Sequence, residues 1–222
     1  MTLAGNTNII LLIGRFEADL MCKRQFLVPV FFLLCVLTCR AQSRAEYRWA
    51  FFHPISALRV KHITGQCDLL YQAYKKRAEP DSFANGGRLD AFRHCFYMAA
   101  YAQKIKKRKL VRLGNAHEKG NYKSFMRSQT EEGELADFMS CEMDLFNNYL
   151  GISLGSENRN LDLDSLAVLV ITAVYQGRAA IMKRNVNGQY LKCGGEVLDL
   201  DRFKKDWMRP KCLVPSNYLE KD

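Results

Sequence analysis

Apolar residues recur at helical spacing over several stretches of the chain, and segments rich in polar, glycine and asparagine residues separate them. Pro54 suits a first helical turn, and Ile55, Leu58, Ile63, Leu69, Leu70, Ala73 and Tyr74 mark one face of a helix ending near Lys75. Residues 79–87 are dense in turn formers and read as a loop. Over residues 90–106, Phe92, Cys95, Phe96, Ala99, Ala100, Ala102 and Ile105 form a broad apolar face, which predicts a strong helix. A shorter helical piece over 110–118 follows, and the polar stretch 120–130 reads as a loop. Ser128 or Thr130 is placed to cap a long helix over 131–150, with Gly151 and Gly155 ending it. Asp164 and Ser165 open a further helix through Leu166, Leu169, Val170, Ala173 and Val174 to Arg178.

The pattern is weaker at both ends. Residues 42–53 carry no clear helical period and read as an extended lead-in. Arg184-Asn-Val-Asn-Gly188 separates residues 180–182 from 189–191, which predicts a hairpin on an Asn-Gly turn, and residues 199–207 suit a short polar helix. The expected fold is all-α, a compact helical bundle of about five helices over residues 54–180, with a small C-terminal β-hairpin and tail over 181–222. Cys193 and Cys212 are one candidate pair to pin that tail by a disulfide, among pairings the sequence leaves open.

Residues 21–41 have the layout of a secretory signal peptide: Lys23 and Arg24, an apolar run over 26–39, and small residues before Gln42. Cleavage is expected after Ala41, and residues 1–20 read as an upstream extension that is not native structure. Export to a periplasmic or extracellular space follows, with an uncleaved membrane anchor or acylation of Cys39 as alternatives. Of 8 cysteines, Cys67, Cys95, Cys141, Cys193 and Cys212 would remain, an odd number for an oxidising compartment. The formal net charge of +10 falls only to +8, because the removed residues hold four bases and two acids. That balance favours an anionic partner such as phospholipid or glycan, and no specific nucleic-acid motif is present. With 48% hydrophobic and 25% charged residues, the composition excludes a disordered or collagen-like chain.

Three polar clusters interrupt the apolar helices. Asp90 and His94 are four residues apart and share a face, with Arg93 beside them; His117 and Glu118 are adjacent; and Glu142, Asp144, Asn147 and Asn148 fall within two turns. Burying such groups is costly unless they meet partners or a metal. If the three helices pack together, two histidines with carboxylates make a plausible first shell for a divalent metal of unknown identity. The same residues could equally form a satisfied polar network that fixes the packing.

Asn85-Gly-Gly-Arg-Leu-Asp90-Ala-Phe-Arg-His94-Cys-Phe-Tyr97, Ala116-His117-Glu118 and Met143-Asp144-Leu-Phe-Asn147-Asn148-Tyr-Leu-Gly151 together resemble a bacterial family of domains of unknown function. That family carries Asp-Ala-Phe-Arg-His, Ala-His-Glu and Met-Asp-Leu-x-Asn-Asn-x-x-Gly motifs in the same order, and the resemblance covers about residues 54–180. Phe146 stands where the family usually has histidine, and Gly87-Arg88-Leu89 replaces a shorter proline-containing approach. The order His, His-Glu, Asp is also similar to the His, His-Asp, Asp order of helical metal-dependent phosphohydrolases.

The resemblance implies a metal held by His94, His117 and Asp144, with Glu118 as general base, Arg93 steadying a phosphate and Asp90 completing the catalytic set. Glu142, Asn147 and Asn148 would support them. An exported metal-dependent hydrolase of phosphoester or lipid substrates is therefore one expectation. A non-catalytic cell-envelope interaction domain and a toxin-like effector are the alternatives. The basic run over residues 104–112 reads first as a solvated helix terminus and second as a contact patch for an anionic partner.

Overall fold

The computed structural model describes residues 43–128 and 135–219. The expected leader, the extension before it, Thr130 and the start expected for the long helix lie outside the described residues. Among the described residues, six helices and two short strands follow one another: α1 (Arg44–Phe52), α2 (Pro54–Lys76), α3 (Arg88–Lys104), α4 (Lys107–Met126), α5 (Phe138–Glu157), α6 (Leu163–Tyr175), β1 (Ala180–Met182) and β2 (Leu213–Pro215). The expectation of a mostly helical bundle holds.

Helix α1 replaces the extended lead-in expected at residues 42–53. Its signal is a capping box rather than a period: Ser43 Oγ accepts from the Glu46 amide at 3.2 Å, and the Ser43 amide donates to Glu46 Oε2 at 2.6 Å. Only Trp49 is buried on α1, its Nε1 donating to the Lys109 carbonyl at 2.9 Å, so no apolar repeat was there to be read. Helix α4 likewise runs through the expected loop to Met126, because Tyr122 and Phe125 pack against Trp207. Ser128 has φ 55° in the turn that ends α4, so it does not cap the next helix. That cap is Asp137, whose carboxylate accepts from the Ser140 amide at 3.0 Å.

Helix α3 is the centre of the core. Leu89, Ala91, Phe92, Cys95, Phe96, Ala99, Ala100 and Ala102 are all essentially buried, with Ile63, Cys67 and Tyr71 of α2 and Leu166, Val170 and Val174 of α6 packed around them. The most extensive helix contact is between α3 and α5. Gly151 and Gly155, expected to terminate α5, lie inside it: a Cβ on Gly151 would stand 2.1 Å from the Cys95 carbonyl oxygen, and one on Gly155 2.0 Å from that of Ala99. The two helices run in the same direction and touch backbone to backbone along this stripe.

Strand β1 pairs antiparallel with β2, Ile181 opposite Val214, and not with residues 189–191. The Asn-Gly turn forms, with Gly188 at φ +78° and Arg184 bridged to Tyr190, but no hairpin of regular strands results. Ile181 and Met182 are buried, and Met182 donates to the Gly86 carbonyl at 2.8 Å, so β1 is fixed by the core and takes its partner from the returning tail. The expected Cys193–Cys212 disulfide closes that tail. Residues 199–207 form turns instead of a helix: the Asp199 carboxylate accepts from the Asp201 and Arg202 amides, a local alternative to helical bonding. No helix among the described residues is long and apolar enough to cross a membrane.

Candidate metal centre

The register of the α3–α5 contact decides the site. Glycine backbone contacts pair Cys95 with Gly151 and Ala99 with Gly155; toward the N-termini, the same alignment sets Asp90 and His94 opposite Asp144 and Asn148. His94 Nε2 lies 3.5 Å from Asp90 Oδ1 and 3.3 Å from Asp144 Oδ1. Donor atoms of these three residues all fall within 4.8 Å of one another, which is the group among the described residues able to hold a metal ion.

Hydrogen bonding orients His94 so that it could act as a ligand. Its Nδ1 donates to Asn148 Oδ1 at 3.3 Å, which leaves the Nε2 lone pair toward the two carboxylates. Burial depresses the His94 pKa well below the ordinary imidazole value, and the positive charge of Arg93 depresses it further; the Asn148 bond opposes them only in part. The ring is therefore neutral at neutral pH. Asp90 is buried in the first turn of α3, its Oδ2 accepting from the Gly86 amide at 2.7 Å. Burial raises its pKa above the usual carboxylate range, against the opposing pull of Arg93, the Gly86 amide and Arg184.

Arg93 shares this site. Its Nη2 donates to Asp90 Oδ1 at 2.7 Å and stands 3.3 Å from His94 Nε2, so the guanidinium occupies the approach a metal would use. An incoming ion must take over from it. The site opens on a cavity of about 50 Å³, roomy enough for one or two waters, lined by Asp90, Arg93, Asp144, Asn121, Ser140 and Lys211.

The remaining sequence candidates divide. Asn147 is fully buried and bridges to β1, its Nδ2 donating to the Ala180 carbonyl and its Oδ1 accepting from the Ala180 amide, both at 2.9 Å. Glu118 is buried and accepts from Asn121 Nδ2 at 3.0 Å, one side chain back from the cavity. His117 stands apart from the donor group, its Nδ1 3.1 Å from Glu46 Oε1 of α1. Glu142 is exposed on α5. Cys95, next to His94 in sequence, points elsewhere and donates to the Asn147 carbonyl at 3.2 Å. Burial raises its pKa and those of Cys67 and Cys141, which removes all three as ready nucleophiles.

Sequence reading missed Glu46, Asn121, Ser140 and Lys211. Ser43-x-x-Glu46 and Asp137-x-x-Ser140 carry capping-box spacing that could have flagged two of them. Nothing local marks Lys211, which arrives from the tail.

The Glu46–His117 contact makes α1 docking acid-sensitive. Burial pushes the Glu46 carboxyl up, but the hydrogen bond and charge of His117 and the Ser43 donors outweigh it and hold the pKa below 4.5. A depressed carboxylate stabilises the fold above its unfolded pKa, and that contribution disappears as pH falls through the folded value. In a Trp207→Phe background, Trp49 fluorescence should report loosening of α1 as pH drops below 4.5. Glu46→Gln should weaken docking by about 1 kcal/mol at neutral pH and flatten that acid transition. A transition that persists unchanged in Glu46→Gln would assign it to another group.

A family model described as a domain of unknown function, DUF6973, matches residues 47–178. No curated protein and no solved structure matches the chain.

Proposed function

Because the chain belongs to the DUF6973 family, a domain of unknown function, we propose its activity from the site alone: metal-dependent hydrolysis of a phosphate ester. The observation that carries this reading is the convergence of Asp90, His94 and Asp144 within 4.8 Å of one another, with Asp90 and Asp144 lining a cavity that Arg93 and Lys211 also line. Two carboxylates with a neutral imidazole suit a divalent ion such as Zn²⁺ or Mn²⁺, and such an ion supplies an activated water near neutral pH. Arg93, paired with Asp90 in this structure, would be the cation to hold the phosphate if an ion took over the carboxylate. Lys211 lines the same cavity, its ammonium held by the Asp137 carboxylate at 2.8 Å. Glu118, behind Asn121, is the nearby carboxylate that would serve as general base if an ion were held there. The Cys193–Cys212 disulfide fits an oxidising compartment and supports export as the setting.

A purely structural polar network is the second reading, favoured by the Arg93–Asp90 ion pair, which already neutralises one carboxylate. Elemental analysis and titration calorimetry with Zn²⁺ and Mn²⁺ separate the two. Under the metal reading, wild type holds one ion per chain, His94→Ala holds none while still folded by circular dichroism, and Arg93→Met binds about tenfold tighter because a competing cation is gone. Absence of binding in all three, with both variants merely less stable, would establish the network instead. A metal-loaded wild type inactive on aryl phosphate mono- and diesters would remove the hydrolase assignment while leaving the metal site.

A further inference from the structure

At the other end of α3 from the metal centre, the α1–α2 corner meets the junction of α3 and α4. Three hydrogen bonds fix this meeting: Trp49 Nε1 to the Lys109 carbonyl, Lys109 Nζ to Ser56 Oγ at 3.2 Å, and Arg59 Nη1 to the Lys104 carbonyl at 3.0 Å. Asp90 and Lys104 are separated by about 21 Å of helix axis, so the two regions do not overlap.

Two properties coincide at this corner. Phe51, Phe52, Ile55 and Leu58 are exposed by 78%, 63%, 68% and 55%, four large apolar side chains within eight residues. Single exposed apolar residues are ordinary, but a cluster of this kind marks an interaction site. Residues 43–66 and 104–116 also hold ten Lys and Arg against one acid, Glu46, which is already bound to Ser43 and His117. Arg48 and Arg112 flank Phe52 in a shallow groove between α1 and α4. The first turn of α4 carries Lys107, Arg108 and Lys109 and no acid, an arrangement that opposes the helix dipole and so lacks a role in holding the helix.

We infer that this corner is a docking face for an anionic phospholipid bilayer, with Phe51, Phe52, Ile55 and Leu58 entering the headgroup boundary and the surrounding Lys and Arg side chains meeting lipid phosphates. Exposed apolar side chains rimmed by bases are the chemistry of interfacial binding, each base adding attraction to an anionic surface. Ile55 and Leu58 offer no stacking surface, which favours lipid over single-stranded nucleic acid.

Co-sedimentation of the full chain with vesicles tests the inference, using about one-third phosphatidylglycerol in phosphatidylcholine against phosphatidylcholine alone. Two variants bracket the face, Phe51→Ser/Ile55→Ser and Lys106→Glu/Arg108→Glu, all at exposed positions, with circular dichroism confirming the fold. The upstream segment is the same in all three proteins, so its own lipid affinity cancels in the comparison. Each variant should partition about tenfold less onto the anionic vesicles, and added salt should release wild type more than the charge-reversal variant. Variants that sediment like wild type, a wild type indifferent to phosphatidylglycerol, or stronger capture by a single-stranded oligonucleotide than by the vesicles would each overturn it.

Discussion

Gly155→Ala is expected to destabilise the protein by more than about 3 kcal/mol, a drop in Tm of about 10 °C. The added methyl would stand 2.0 Å from the Ala99 carbonyl oxygen and 2.6 Å from its carbonyl carbon, and both belong to backbone inside a buried helix. Neither can rotate away, so α3 and α5 must separate along their whole contact. Gly151→Ala meets the Cys95 backbone in the same way and lies closer to His94. It should therefore lose metal affinity as well as stability, because sub-ångström shifts between the helices move Asp144 relative to His94. Gly65→Ala is the internal control: nothing lies within 4 Å of its added methyl, it is exposed in the middle of α2, and it should gain up to about 1 kcal/mol from helix propensity. Thermal melts of the three variants check the contrast. Equal effects at Gly65 and Gly155 would mean that the close α3–α5 approach is wrong.

Loss of Asp137 should cost nearly as much. Its fully buried carboxylate caps α5 through the Ser140 amide and pairs with Lys211 Nζ at 2.8 Å, with Arg209 Nη1 at 3.8 Å. Lys211 and Arg209 are themselves only 5% exposed. Arg209 keeps the carbonyls of Phe203, Lys204 and Leu135 as acceptors, so Lys211 depends more on the carboxylate. Asp137→Ala removes cap and counter-charge together and should destabilise by about 3 to 5 kcal/mol, measured by denaturant unfolding. Asp137→Asn keeps a competent cap and should recover about 1 kcal/mol of that loss. Adding Lys211→Met to Asp137→Asn should recover more, since it removes the uncompensated buried charge. If the double variant is no more stable than Asp137→Asn alone, Lys211 is not the group that Asp137 compensates.

The helices of the core were legible because burial imposes a period. Phe92, Cys95, Phe96 and Ala99 on α3, and Leu166, Val170 and Val174 on α6, repeat at the spacing a buried face requires. Helix α1 and the last turns of α4 were not legible for the converse reason: one buried tryptophan, or a few rings stacked on a distant Trp207, leaves no repeat along the chain. Gly151 and Gly155 show how a local rule can mislead. Glycine ends helices through its freedom at positive φ, but these two have helical backbones and are needed for their missing Cβ. Their spacing of four residues, matched by Cys95 and Ala99 on α3, is the signature of close helix approach and not of a stop.

The candidate site divides in the same manner. Asp90 and His94 share a face by helical spacing alone, and the pairing of Asp144 with Asn148 follows from the same geometry. Their shared helix faces and the all-α class were determined by the sequence itself, because each depends on residue type and on periodicity along single elements; the Cys193–Cys212 link joins two points of an irregular tail and was decided by its folded path. The tertiary structure decided which of these groups meet. It set Asp144 rather than His117 beside His94, drew His117 away to Glu46, and brought Lys211 to the cavity from the far end of the chain. Those outcomes depend on the register between α3 and α5 and on the path of the tail, which arise from contacts between residues far apart in sequence and leave no periodic trace along the chain.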